Sequence, residues 1–146
     1  MRFYYILPVC RLSEIQYVEK ATNMSIPNGH QAVMPYLMME DAAGFIEFIK
    51  TFLCAEMTHQ DNRGNIIGHC EANLGGSNIM FSQSRDEWEP ATANMFVYVK
   101  NADETYAKAI SNRSETVMPP SDQESGRTCG VTVPFGNVWW ITSVAA

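Results

Sequence analysis

The fold is decided by the stretch "MPYLMMEDAAGFIEFIKTF" (residues 34–52), in which a short apolar strand, an aspartate and an amphipathic helix follow one another. Asp41 suits the start of a helix, because its carboxylate accepts hydrogen bonds from the free backbone N–H groups of the first turn. The apolar side chains after it recur at helical spacing and predict one buried helix face, made of Phe45, Ile46, Ile49, Phe52 and Leu53.

The same order returns at "MFVYVKNADETYAKAISNR" (residues 95–113), where Asn101 or Asp103 opens a weaker helix. Its inward residues are predicted to be Tyr106, Ala109 and Ile110. Three strands separated by turns, several of them rich in Asn or Gly, are predicted after each helix. After the first helix they are "CAEMTHQ", "IIGHCEANL" and "NIMFSQ". After the second they are "ETVMPP", "TCGVTV" and "VWWITSV", with "SDQESGR" predicted as a loop. The sequence therefore predicts two βαβββ modules, at about residues 26–83 and 93–146, joined by the polar residues 84–92. Two such modules are expected to pair and bury a sheet face, as one domain of residues 26–146.

Composition and charge exclude several classes of protein. The 146 residues are 46% hydrophobic and 18% charged, as in an ordinary globular protein, and the net charge of −6 argues against a nucleic-acid partner. No apolar run is long enough to span a membrane. The four cysteines form no CxxC pair, and the apolar part of "MRFYYILPVC" is short for a signal peptide. We therefore predict a cytoplasmic protein with reduced thiols, in which residues 1–25 are an N-terminal extension.

Three motifs in this order, "EFIKTFLCAE", "IGHCEANLGGSNIMFS" and "PFGNVWWIT", resemble the vicinal-oxygen-chelate (glyoxalase/bleomycin-resistance/dioxygenase) superfamily, and its PhnB-like branch in particular. The resemblance covers residues 26–143. It implies an α+β fold in which two βαβββ modules form a curled mixed sheet around a cleft, in a protein that is commonly a homodimer. Such proteins include lyases, ring-cleaving dioxygenases, thiol transferases and metal-free drug-binding proteins. Cys54 stands where the branch usually has a glycine, so the first helix is expected to end differently.

The resemblance also implies where a metal would be held, on the first and last strands of the modules. The aligned positions carry Met34, Asn94 and Trp140, and the fourth position lies near residues 81–83. A thioether suits soft ions and an indole has no lone pair to donate, so this set does not form a site for a hard divalent ion. We predict no metal and no cofactor.

Strand parity, together with the orientation that the resemblance implies, predicts which residues face the cleft. Adjacent strand residues point to opposite faces, so Trp139 is expected to pack under a helix while Trp140 faces the cleft. Residues of the same orientation complete an aromatic set that suits a small organic ligand: Met34, Tyr36, Asn94, Phe96, Tyr98 and Trp140. The alternative is that these rings only fill the cleft as core.

In "IGHCEANL", alternation places His69 and Glu71 on one strand face, where they can bind a ligand or move a proton. A solvated polar face is the alternative. Arg127 is a candidate anion contact, and Cys129 a weak candidate nucleophile. Three functions remain open: a metal-free small-molecule binding protein; a lyase- or isomerase-type enzyme with His69 or Glu71 as acid/base; and a non-catalytic module with a self-filled cleft.

Overall fold

The computed structural model describes residues 25–145. Residues 25–33 belong to a separate compact unit that holds one turn, and the domain begins at Met34. The predicted N-terminal extension, residues 1–25, lies outside the described residues except for its last position.

The domain consists of two βαβββ modules, as predicted. The first contains β1 (Tyr36–Met39), α1 (Ala42–Leu53), β2 (Glu56–Arg63), β3 (Ile66–Leu74) and β4 (Ser77–Gln83). The second contains β5 (Asn94–Tyr98), α2 (Ala102–Ser111), β6 (Glu115–Gln123), β7 (Gly126–Thr132) and β8 (Val138–Ser143). Each module forms its own four-stranded mixed sheet, in the orders β1-β4-β3-β2 and β5-β8-β7-β6. The α+β class is confirmed, with two separate sheets.

The first and last strands of each module pair in parallel, because the helix carries the chain back across the sheet. Tyr36 of β1 lies opposite Met80 of β4, and Phe96 of β5 lies opposite Trp140 of β8. The other neighbours are antiparallel hairpins. Equivalent pairs thus recur at equivalent places in the two modules.

Both helices begin at a side-chain cap. Asp41 Oδ1 accepts a hydrogen bond from the Gly44 backbone N–H at 2.8 Å, as the sequence indicates. At α2, Asn101 Oδ1 accepts from the Glu104 N–H at 3.1 Å, which identifies Asn101, and not Asp103, as the cap. Each bond satisfies one of the free N–H groups that every helix start exposes.

One hydrophobic core joins the two modules. On α1, Phe45 makes edge-to-face contacts with Phe81 of β4 and with Phe135 of the turn before β8. Phe52 makes a similar contact with Trp139 of β8. Helix α1 therefore packs both on its own sheet and on the second module.

Two details of helix packing differ from the prediction. Phe48 is buried on α1 and was not in the predicted apolar face, because it packs against Phe135 of the second module. On α2, Ile110 was predicted to point inward but is 38% exposed. The buried residues of α2 are Ala102 and Ala109, whose small side chains let the helix lie close to its sheet and turn Ile110 outward.

The predicted loop "SDQESGR" is mostly strand. Strand β6 runs to Gln123 and β7 begins at Gly126, so only residues 124–125 form the turn. Pro119 and Pro120 are tolerated within β6 because it is an edge strand whose pairing register shifts beside them.

Helix α1 ends in a left-handed residue that is not glycine. Cys54 has φ 52° and ψ 39°, and the Ala55 N–H donates to the Ile49 carbonyl at 3.2 Å. The expectation that Cys54 changes this helix end is therefore wrong, because the hydrogen bonds of the C-terminal cap hold the left-handed conformation despite its steric cost.

Replacing Cys54 with glycine should raise the free energy of unfolding by up to about 1 kcal/mol, since glycine adopts this conformation without the Cβ clash. Cys54→Ala is the matched control, because it removes the thiol but keeps the strained Cβ. Urea denaturation of the three proteins measures the effect. Equal stability of the glycine and alanine variants would contradict the assignment of strain to this residue.

Candidate functional site

Around Cys70 on β3 and Trp139 on β8, buried residues alternate with half-buried ones, which lie on an outer face opposite the core. On β3, Cys70 and Ala72 are fully buried, while His69 and Glu71 lie on the other face and are half-buried. On β8, Trp139 is 2% exposed and packs under α1, whereas its neighbour Trp140 lies half-buried on the outer face. The predicted strand parity is confirmed for both strands.

A hydrogen-bonded cluster, the polar face, occupies the outer face of the first sheet and consists of Tyr36, His69 and Glu71. His69 Nε2 lies 3.0 Å from Glu71 Oε1, and His69 Nδ1 lies 3.5 Å from the Tyr36 hydroxyl. The His69 and Glu71 side chains are 30% and 14% exposed, so the pair is partly withdrawn from water. If Nε2 carries the proton and donates to Glu71, Nδ1 is left as an acceptor for a ligand or for Tyr36.

Two neighbours of this cluster were not identified from the sequence. The His59 ring on β2 lies 5.6 Å from the His69 ring, and Met80 on β4 is in register with both Tyr36 and Glu71. His59 lies on an edge strand, where sequence alone carries no signal of a site residue. Met80 is the first module's counterpart of Trp140, which a strand-by-strand alignment of the repeat would have shown.

The outer face of the second sheet is aromatic, and we call it the aromatic face: Asn94, Phe96, Tyr98 and Trp140. The rings of Phe96 and Tyr98 meet edge to face at 5.2 Å, and these side chains are 54% and 67% exposed. The Trp140 indole N–H donates to Asn94 Oδ1 at 3.3 Å. Phe96 and Tyr98 are therefore not core residues of this chain. Met34, the remaining predicted ligand contact, lies two residues before β1 and is half-buried.

A groove of about 970 Å³ lies elsewhere, between the start of α1, the end of α2 and the turn before β8. Asp41, Phe48, Arg113 and Phe135 are among its lining residues. It contains no residue of the polar face or the aromatic face. Phe96 and Tyr98 on the aromatic face are exposed, whereas His69 and Glu71 on the polar face are half-buried.

Arg127 is engaged within the chain. Its Nε and Nη2 donate to the two carboxylate oxygens of Asp103 at 2.9 and 2.8 Å, and its Nη1 contacts Asp122 at 3.3 Å. The hydrogen bonds to Asp103 raise the pKa of Arg127, and in turn the Arg127 hydrogen bond lowers the pKa of Asp103. The guanidinium thus fastens β7 to the start of α2 and is not a free anion contact.

The buried cysteines are not nucleophiles. Cys70 and Cys129 occupy equivalent positions on β3 and β7 and are fully buried. Burial raises the pKa of Cys129 to about 11 and also raises the pKa of Cys70. Both thiols therefore stay protonated at neutral pH, and a protonated thiol is a poor nucleophile.

The residues at the positions implied for a metal do not suit one. Asn94 and Trp140 are hydrogen-bonded to each other, and neither side chain is a charged group that could coordinate a metal ion. Across residues 25–145, no group of three or more His, Cys, Asp or Glu side chains is arranged to hold a metal ion. In the same range, none of the helices has the length and apolar character needed to cross a membrane.

Solved structures with the same fold were found. TioX from Micromonospora sp. ML1 is 17% identical with a TM-score of 0.64, covering 80% of this chain and 98% of its own. The PhnB protein from Bacillus cereus is 16% identical with a TM-score of 0.66, covering 78% and 100%. A glyoxalase/bleomycin resistance protein/dioxygenase superfamily member from Sphaerobacter thermophilus DSM 20745 is 15% identical with a TM-score of 0.58, covering 77% and 98%. No family model and no curated protein matches the sequence.

Proposed function

We propose that this chain, which has the vicinal-oxygen-chelate fold, is a metal-free cytoplasmic protein that binds a small organic molecule. The observation that carries the proposal is the exposure of Phe96 and Tyr98 beside Trp140, on a face that the chain's own core does not use. Rings held in this way offer apolar area and stacking surfaces, while Asn94 adds a polar contact. The cytoplasmic location rests on free thiols at Cys54, Cys70 and Cys129.

The ligand site is completed by a second copy of the chain. Phe96 and Tyr98 of the aromatic face are exposed, the polar face lies on the other sheet, and the groove beside α1 includes no residue of either face. Two-fold symmetry would place the polar face of one copy over the aromatic face of the other, twice per dimer. Each ligand would then lie between Tyr36, His69 and Glu71 of one subunit and Phe96, Tyr98 and Trp140 of its partner.

Light scattering should give the mass of a dimer at micromolar concentration, and subunit mixing tests whether the site is shared. Glu71→Ala and Trp140→Ala proteins are each expected to bind ligand weakly. After subunit exchange, half of the sites in each heterodimer combine two unaltered faces, so binding should return at one site per heterodimer. A monomer mass, or no recovery on mixing, would contradict the shared site.

Elemental analysis should find no stoichiometric nickel, zinc, manganese or iron in the purified protein. Met34, Asn94 and Trp140 stand at the positions implied for metal ligands and offer neither the carboxylate nor the imidazole that these ions prefer. His69→Ala is the control, since the His69 imidazole belongs to the polar face. One tightly held ion per chain that disappears in His69→Ala would overturn the metal-free account.

A lyase- or isomerase-type activity is the second candidate, and the hydrogen-bonded polar face favours it. Glu71 holds one nitrogen of His69 at 3.0 Å, which orients the other nitrogen toward Tyr36 and the open face. In this arrangement His69 acts as general base at Nδ1, and Glu71 stabilises the imidazolium that forms. Turnover of a bound ligand that survives a chelator but is lost in both Glu71→Gln and His69→Gln would establish it. Binding without turnover would leave the first candidate.

A further inference from the structure

The indole of Trp140 lies directly against the backbone of the neighbouring strand. Gly130 of β7 is the register partner of Trp140, and a Cβ built on Gly130 would lie 2.6 Å from Trp140 Cζ3 and 2.8 Å from Cε3. Real Cβ atoms do not approach so closely, so any side chain at Gly130 would displace the ring. Gly130 does not have a positive φ. The backbone conformation therefore does not require glycine at this position, whereas the close approach of the Trp140 ring does.

The other edge of the same indole is held by a hydrogen bond. Trp140 Nε1–H donates to Asn94 Oδ1 at 3.3 Å, from the first strand of the module. The six-membered ring thus contacts Gly130 on one neighbouring strand, while the pyrrole edge is bonded to the strand on the other side. These two contacts fix the indole across the sheet, with its outer side open.

The repeat supplies an internal comparison. In the first module, Cys70 of β3 lies opposite Phe81 of β4, as Cys129 of β7 lies opposite Ile141 of β8 in the second. By this alignment, the cross-strand pair Glu71 and Met80 is equivalent to the pair Gly130 and Trp140. The first module combines a long charged residue with a flexible thioether there. The second combines the smallest residue with the largest ring. The Trp140 indole therefore occupies the space that a side chain at Gly130 would fill.

We propose that Gly130 and Asn94 are positioning residues that hold the Trp140 indole flat against the sheet, so that its outer side stacks on a planar aromatic ligand. The inference rests on the proposed binding function and names the class of ligand. A cationic ring is favoured, because the face of an indole attracts positive charge and the chain carries a net charge of −6.

Proflavine, a planar cationic dye, is the probe, and its absorbance shift and fluorescence report stacking. Gly130→Ala should weaken its binding about tenfold, close to the effect of Trp140→Ala, in keeping with the size of one stacking contact. The thermal midpoint should remain close to that of the wild-type protein, because the displaced atoms lie at the end of a side chain. A crystal structure of Gly130→Ala should show the indole rotated away from β7.

Four further variants separate positioning from a general structural effect. Adding Gly130→Ala to Trp140→Ala should cause no further loss, because the glycine acts only through the ring. Asn94→Ala should weaken binding, whereas Asn94→Asp, which keeps the oxygen acceptor, should restore it. Thr132→Ala, two residues along β7, should leave binding unchanged.

Two results would overturn the inference, and they differ from failure of the binding function itself. Wild-type affinity in Gly130→Ala, together with weak binding in Trp140→Ala, would show that glycine does not position the ring. Proflavine binding that is absent, or indifferent to Trp140→Ala, would exclude a planar cation on this indole. A broad ligand screen tests the binding function separately, because it also detects ligands that do not stack on Trp140.

Discussion

Replacing Trp139 with alanine should lower the free energy of unfolding by about 3–5 kcal/mol, as expected for a large ring removed from a packed core. Trp139 is 2% exposed and contacts Phe52 edge to face. Its side chain belongs to the second module and packs on the helix of the first, so the cavity would lie where the modules join. The indole N–H has no hydrogen-bond partner among residues 25–145, so the substitution breaks no hydrogen bond there, and removal of this unsatisfied group offsets part of the cost.

Trp140→Ala is the matched control, one residue along the same strand. Its ring lies on the outer face, so removal should cost about 1 kcal/mol or less, in the range of ordinary partly exposed positions. Chemical denaturation of both variants gives the comparison. If the two substitutions destabilise equally, both rings are core. If Trp139 is the tolerant one, the strand is displaced by one residue and every assigned outer-face residue changes sides.

Asn137→Ala should lower the free energy of unfolding by about 2–3 kcal/mol, because it leaves a buried N–H without an acceptor. Asn137 is fully buried, and its Oδ1 accepts from the Ala93 backbone N–H at 2.9 Å. Its Nδ2 donates to the Met39 sulfur of the first module at 3.6 Å. One side chain therefore connects the start of β5, the turn before β8 and β1.

Denaturation midpoints measured by circular dichroism test this prediction. Asn137→Asp keeps the acceptor but buries a negative charge, so it should also be destabilised, and less so as the pH falls and the carboxyl becomes protonated. Asn62→Ala, at an exposed position on β2, should stay within about 0.5 kcal/mol of the wild-type protein. A loss below that value in Asn137→Ala would show that the buried amide does not connect these elements.

The parts of the fold that were predictable are those where a single strand or helix carries its own pattern. Strand β3 alternates cleanly around Cys70 and Ala72, and α1 repeats Phe45, Ile49 and Phe52 at helical spacing. In both elements the buried face follows from local periodicity, whatever packs on it. Local alternation along β8 likewise predicted which of the adjacent tryptophans is buried and which lies on the outer face.

The parts that were not predictable depend on a neighbour. Phe48 packs against Phe135 of the second module as well as Phe52 of its own helix, and α2 buries Ala102 and Ala109 rather than Ile110. Cys54 shows the same dependence, since the hydrogen bonds of the cap outweigh its own preference. In the site, the roles of Gly130 and Met80 follow only from the residues opposite them on the neighbouring strands.

The central claim is that the aromatic face binds an organic molecule, and thermal denaturation against a library of small molecules tests it most directly. A ligand that binds the folded state raises the unfolding temperature by mass action. We predict that at least one organic compound raises the melting temperature of the wild-type protein and has little effect on Trp140→Ala, whose own stability stays near that of the wild type. No stabilising compound, or equal stabilisation of both proteins by every active compound, would contradict the claim.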